Sequence, residues 1–152
     1  MNTHATPAEA CSGSALGLLF RQTRDAMWGR MAKELAKAGH DLTFSQFIAI
    51  KKLVNGTASV TDLARAADLN PGAMTRLLDK LEARGLLVRE ADPNDRRALH
   101  IHLTEAGLTM WRDIDQCGQR VRERALLGMD DATRTQLTRL LEQVRDNLVA
   151  ED

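Results

Sequence analysis

A chain of 152 residues is one domain's worth, and 43% apolar with 28% charged residues is the balance of a packed globule, which excludes a disordered chain. Its apolar runs span only a few residues, against the roughly 18–20 that cross a bilayer, and its start lacks the charged, apolar and small-residue order of a signal peptide, so a cytoplasmic protein is expected. The formal net charge is zero, from 21 basic and 21 acidic residues, so charge alone names no partner.

In chain order, the first dozen residues are rich in Ala, Ser and Thr, and a helix is then expected from about Ser14 to Ala38. Leu16, Leu19, Phe20, Met27, Met31 and Leu35 recur along it at three- and four-residue steps, and Gly39 closes it. Thr43 with Gln46 has the spacing of a capping box, in which each side chain satisfies an orphan amide, and opens a second helix through Val54. Ser59 with Asp62 repeats the device for a short third helix to about Ala67. Asn70-Pro71 opens a fourth, because Asn is a favoured N-cap and Pro is tolerated at the first helical position. Met74, Leu77, Leu78 and Leu81 make its apolar face, and Gly85 ends it.

The apolar period then drops to two. Leu86 to Glu90 reads as a strand, Ala91 to Arg97 is dense in turn formers, and Leu99, Ile101 and Leu103 alternate with His100 and His102 in a returning strand with its apolar face inward. Thr104-Glu105 opens a fifth helix to about Gly128, and Asp130 caps a sixth whose Leu137, Leu140, Leu141, Val144 and Leu148 form a stripe. The expected fold is mainly α with a small β-hairpin: a helix-turn-helix followed by a wing, the plan of a winged-helix DNA-binding domain, with long helices at both ends. A small winged core cannot bury the stripes of those flanking helices, so they are expected to interleave in a homodimer. A monomeric helical bundle with an incidental hairpin is the alternative reading of the same pattern.

Three blocks carry a resemblance: the run from Asn70 to Glu90, then Asp95-Arg96-Arg97, then His102 to Gly107. Together they resemble the MarR family of bacterial winged-helix regulators, over nearly the whole chain. The resemblance implies a single domain over residues 1–152, with a DNA-binding lobe at 41–104 and dimerisation helices at 14–38 and 105–150. It implies a homodimeric repressor on a pseudo-palindromic operator, released by a small aromatic or lipophilic effector. A cysteine-based redox sensor and a constitutive DNA-binding regulator without effector are the alternatives.

A recognition helix enters the major groove N-terminus first, which puts Asn70, Pro71, Gly72, Ala73, Thr75 and Arg76 against DNA. Gly72 and Ala73 permit close approach, and Arg76 offers a bidentate donor to guanine, or else is solvated beside Asp79. The resemblance puts Arg97 in the minor groove with Asp95 steadying it and Arg96 on phosphate; alternatively, Asp95 and Arg97 only staple the turn. A narrow minor groove has the negative potential that attracts arginine. Ser59 and Thr61 offer hydroxyls or helix-end amides to phosphate.

For an effector, the family positions matched by Thr75 and Arg89 imply a carboxylate partner at Arg89, whose other roles are a phosphate contact or an ion pair on the wing. Met27 and Met31 line a lipophilic cleft or belong to plain core. The resemblance also implies a comparison with the peroxide-sensing branch of the family, whose cysteine pair Cys11 and Cys117 match in rough placement; that branch surrounds its sensing cysteine with tyrosines, of which this chain has none, and inert thiols are the alternative. His100 and His102 share one face of their strand without a third ligand beside them, and His40 stands alone. There is no phosphate loop, G-x-S-x-G or H-E-x-x-H motif, so neither an enzyme nor a bound cofactor is expected.

Overall fold

The computed structural model describes residues 15–151, so Ser14 and Cys11 lie outside the described residues. Six helices and a hairpin follow in the expected order: α1 (Leu16–Lys37), α2 (Phe44–Leu53), α3 (Val60–Ala66), α4 (Pro71–Ala83), β1 (Leu87–Ala91), β2 (Leu99–Leu103), α5 (Glu105–Ala125) and α6 (Asp131–Val149).

Local chemistry starts each helix after the first. Thr43 and Ser59 both form complete capping boxes, with Gln46 and Asp62 returning the bond to the cap's own amide. Asn70, Thr104 and Asp130 each accept the amide three residues on. The turn between α3 and α4 is closed by a residue with no glycine signal: Asp68 is left-handed at φ 53°. Its amide donates to the Arg65 carbonyl and the Leu69 amide to the Ala64 carbonyl, a Schellman arrangement for which Asp is one of the few tolerated side chains.

The helix-turn-helix core is aliphatic. Ile50 of α2, Leu63 of α3 and Met74, Leu78 and Leu81 of α4 are fully buried, joined from the wing by Leu87 and Ile101. The two strands pair antiparallel from Leu87 opposite Leu103 to Ala91 opposite Leu99. Ala58 adds a one-residue third strand, exchanging both backbone hydrogen bonds with Ile101 at 3.2 Å, which ties the wing to the turn before α3.

Three sequence expectations are corrected. The first strand begins at Leu87 and not Leu86, which is buried in the preceding turn. Leu99 does not face inward: it is 44% exposed, because the hairpin has already left the core at its outer end, while Ile101 and Leu103 keep the inward face. The fifth helix also ends at Ala125, short of Gly128.

Outside the lobe, α1 packs along α5. Arg120 Nε donates to Glu34 at 2.7 Å and His40 Nε2 meets Asp113 at 3.1 Å, so His40 has a partner 73 positions away that no local spacing announces. By contrast, α6 has no buried residue, and the outer half of α1 leaves Leu16, Leu19 and Phe20 exposed.

Candidate nucleic-acid interface

The start of α4 projects from the lobe. Asn70 Oδ1 accepts the Ala73 amide at 2.8 Å, which leaves the Asn70 side-chain amide free to donate outward. Pro71 and Gly72 are exposed, and a Cβ on Gly72 would meet only Asn70 Oδ1, at 3.4 Å. Packing within the chain therefore does not demand glycine there. Thr75 donates its hydroxyl to the Pro71 carbonyl at 2.9 Å. One position on, Arg76 is exposed and makes no hydrogen bond or ion pair among the described residues. The Asp79 partner considered for Arg76 is held by Arg89 instead.

The wing places its cations at the tip. Arg96 and Arg97 are exposed, and the Arg97 amide donates to Asp95 Oδ1 at 3.0 Å, so Asp95 fixes the backbone that carries Arg97. Behind the tip, Asp92 accepts the Asn94 amide at 2.8 Å and faces His100 Nε2 at 2.9 Å; those two contacts, in that order, hold its carboxyl below the usual carboxylate range. His102 lies 3.8 Å from Glu90. At the start of α3 the capping box already occupies the Ser59 and Asp62 amides, and the Thr61 side chain is exposed.

Arg89, in the middle of β1, reaches across to α4. Its Nη2 is 2.7 Å from Asp79 Oδ1, its Nε donates to Glu82 Oε2 at 2.7 Å, and Nη2 also contacts Glu82. Asp79 first and then Glu82 raise the guanidinium's pKa further.

A second feature opens between α1, α2, α5 and α6: a cleft of about 690 Å³. Met27 and Met31 both line it, and Met31 also belongs to the core, so the two readings of that residue coexist. Trp28, Phe44 and Phe47 form its aromatic wall, with Trp28 edge-on to Phe44 at 5.0 Å. Lys51 sits at its rim, 5.8 Å over the Phe47 ring. Thr75 and Arg89 are not part of this cleft, so the four positions considered for an effector fall in two places. The aromatic wall was not singled out from sequence, because Phe44 and Phe47 sit three apart on α2 like any buried pair.

Cys117 is fully buried on α5 with Arg120 Nη2 at 3.3 Å from its sulfur. Burial pushes the thiol's pKa up, against the smaller opposing pull of Arg120.

A three-helix lobe with a β-hairpin wing, flanked by long helices, defines a winged helix-turn-helix protein. Comparison with known proteins gives the particular family. The MarR family model matches residues 45–99, from α2 to the first residue of β2. The chain is 34% identical over 110 residues to the HTH-type transcriptional regulator FarR of Neisseria gonorrhoeae, covering 72% of this chain and 70% of that protein. The crystal structure of transcriptional regulator PA3341 superposes with a TM-score of 0.76 at 29% identity, over 87% of this chain and 96% of that one. Bordetella bronchiseptica BpsR, whose DNA binding is regulated by 6-hydroxynicotinic acid, shares the fold with a TM-score of 0.72 at 23% identity, over 86% and 98%. Across three further curated regulators the chain spans 63%, 54% and 62% of their lengths. The chain belongs to the MarR family of transcriptional regulators. Among the described residues, no helix is long and apolar enough to cross a membrane.

Proposed function

We propose that this protein is a homodimeric, sequence-specific DNA-binding repressor that reads a palindromic operator with α4 in the major groove and the β1–β2 wing in the adjacent minor groove. The observation that carries this reading is the pairing of an exposed, uncommitted Arg76 on the first turns of α4 with exposed Arg96 and Arg97 at the wing tip. Asn70, Gly72, Ala73 and Thr75 accompany Arg76 at the base edges, Pro71 sets the helix entry, and Ser59 and Thr61 meet phosphate from α3. Asp95 orders the turn that presents Arg97.

The zero net charge fits such a role when a few arginines are aimed and the neighbouring carboxylates weaken non-specific binding. Residues 41–104 form the reading lobe; α1, α5 and α6 join two copies, and the exposed leucines of α6 supply the surface. A small aromatic or lipophilic molecule in the cleft between the lobe and those helices changes the separation of the two reading heads and releases DNA. The Trp28–Phe44–Phe47 wall and the adaptable Met27 and Met31 suit a flat apolar ligand, and Lys51 at the rim suits an anionic group on it. Regulation of BpsR by 6-hydroxynicotinic acid supports a ligand of this kind.

The test is selection of duplexes from a randomised pool, followed by titration of wild type, Arg76→Ala and Arg97→Ala against the selected and a scrambled duplex. Each substitution is expected to weaken the selected complex by about 1–3 kcal/mol and to leave the scrambled one nearly unchanged. Equal affinity of wild type for both duplexes would overturn the reading.

A further inference from the structure

The wing tip is organised entirely by bonds within the wing: Asp92 N to the Ala98 carbonyl, Ala98 N to the Asp95 carbonyl, Arg97 N to Asp95 and His100 to Asp92. None of these sets where the tip lies relative to α4. That relation is set at the wing's base, where the Leu86 amide donates to the Leu81 carbonyl at the end of α4 and, among the described residues, the one side-chain polar link from the strands to α4 is Arg89. It stands opposite Ile101, the residue that also pairs with Ala58, so the point of attachment is the most tethered position of the hairpin. On α4, its partners Asp79 and Glu82 follow Arg76 at successive three-residue steps, adjacent along one side of the helix.

A planar guanidinium held by two carboxylates fixes direction as well as distance. The Arg89 side chain is only 22% exposed. Partly exposed ion pairs add little to stability. Two acidic groups beside a DNA-reading row also repel phosphate, so their presence there needs another benefit.

We propose that Arg89, Asp79 and Glu82 form a clamp that locks the wing to the recognition helix, so that Arg76 and Arg97 meet adjacent grooves as one rigid reading head. Arg89 is a positioning residue for DNA reading, and its guanidinium is committed to this clamp in place of an effector carboxylate. This rests on the DNA-reading function proposed above.

The test measures binding of the full-length protein to the duplex that wild type selects from a randomised pool and to a scrambled duplex, over a salt series. The variants are Asp79→Asn/Glu82→Gln, Arg89→Met, and each of these in an Arg97→Ala background. Removing two negative charges beside DNA should tighten every complex on electrostatic grounds alone. The clamp predicts the reverse for the selected duplex: about tenfold weaker binding with Asp79→Asn/Glu82→Gln, and unchanged or tighter binding to the scrambled one. It also predicts that this loss disappears in the Arg97→Ala background, because the clamp acts through the wing.

If Asp79→Asn/Glu82→Gln binds the selected duplex as tightly as wild type or more so, the clamp is refuted. So it is if Arg89→Met lowers the salt slope by about one phosphate contact while the carboxylate variant binds tighter, since Arg89 would then touch DNA itself. Additive losses with Arg97→Ala would refute it too. Arg89→Met can fail by misfolding, but the isosteric substitutions at exposed Asp79 and half-buried Glu82 test the clamp without it. A wild-type protein that selects no duplex defeats the DNA-reading function as well, whereas selection by wild type with indifference to the clamp variants defeats the clamp alone.

Discussion

Gly107 shows how a single residue can fix the join between wing and helix. A Cβ there would lie 2.1 Å from the Leu86 carbonyl oxygen and 3.2 Å from Leu103 Cβ, a backbone clash that no side-chain rotation relieves. The same corner is held by Thr104, whose hydroxyl donates to the Gly85 carbonyl at 2.6 Å and accepts the Gly107 amide at 3.1 Å, while its amide donates to Leu86. Gly107→Ala must therefore push α5 away from the start of the hairpin, and a loss of about 1–3 kcal/mol or more in urea unfolding is expected. A change within about 0.5 kcal/mol, the range of ordinary surface substitutions, would contradict this packing. The Leu103-Thr104 to Gly107 block was visible in the sequence as part of a family pattern and as a cap; that its glycine clears a carbonyl required the fold. The partners of Arg89 were likewise hidden, because seven and ten positions separate it from Glu82 and Asp79 and a chain turn lies between.

At the scale of elements, acidic groups at helix starts couple the fold to pH. The Ser59 side chain and amide hold the Asp62 carboxyl below its ordinary range, and the Thr133 side chain and amide do the same for Asp130. Arg120 holds Glu34 down at the α1–α5 contact. A carboxyl whose pKa is depressed on folding contributes stability above its unfolded value and loses it as pH falls through the lower folded value. Stability is thus expected to be flat near neutrality and to decline below about pH 4. In urea titrations Asp62→Asn and Asp130→Asn should reduce that decline; an acid limb identical to wild type in both variants would show that these caps do not carry it.

The helices α2, α4 and α5 were legible in the sequence because apolar period, cap residue and a following glycine agree there, whereas α1 lacks a side-chain cap and no glycine closes α3 or α6. The hairpin was legible from its period of two, but Leu99 was misplaced: alternation gives the side of the strand and not where the strand leaves the core. The short bridge at Ala58 had no signal, since one residue carries no period.

Among the described residues the aliphatic core of the lobe extends through Leu35, Ile114 and Cys117 between α1 and α5, while apolar side chains of α1 and α6 stay exposed. Leu140 is 52% and Leu148 79% exposed on α6, in line with the exposed Leu16 and Leu19 of α1 as apolar surface seeking cover. The proposed palindromic operator requires that two copies joined there present both α4 helices to one face of a duplex. Charge balance left this legible only through the pattern of elements and the family blocks, because no segment is basic enough to announce DNA. The most direct measurement is a hydroxyl-radical footprint of the wild-type protein on its selected duplex, combined with methylation interference. Two symmetric guanine-contact sites about 34 Å apart along the axis, each flanked by a protected minor-groove segment, are predicted. One unpaired site, or protection that does not follow sequence, would contradict the dimeric reader.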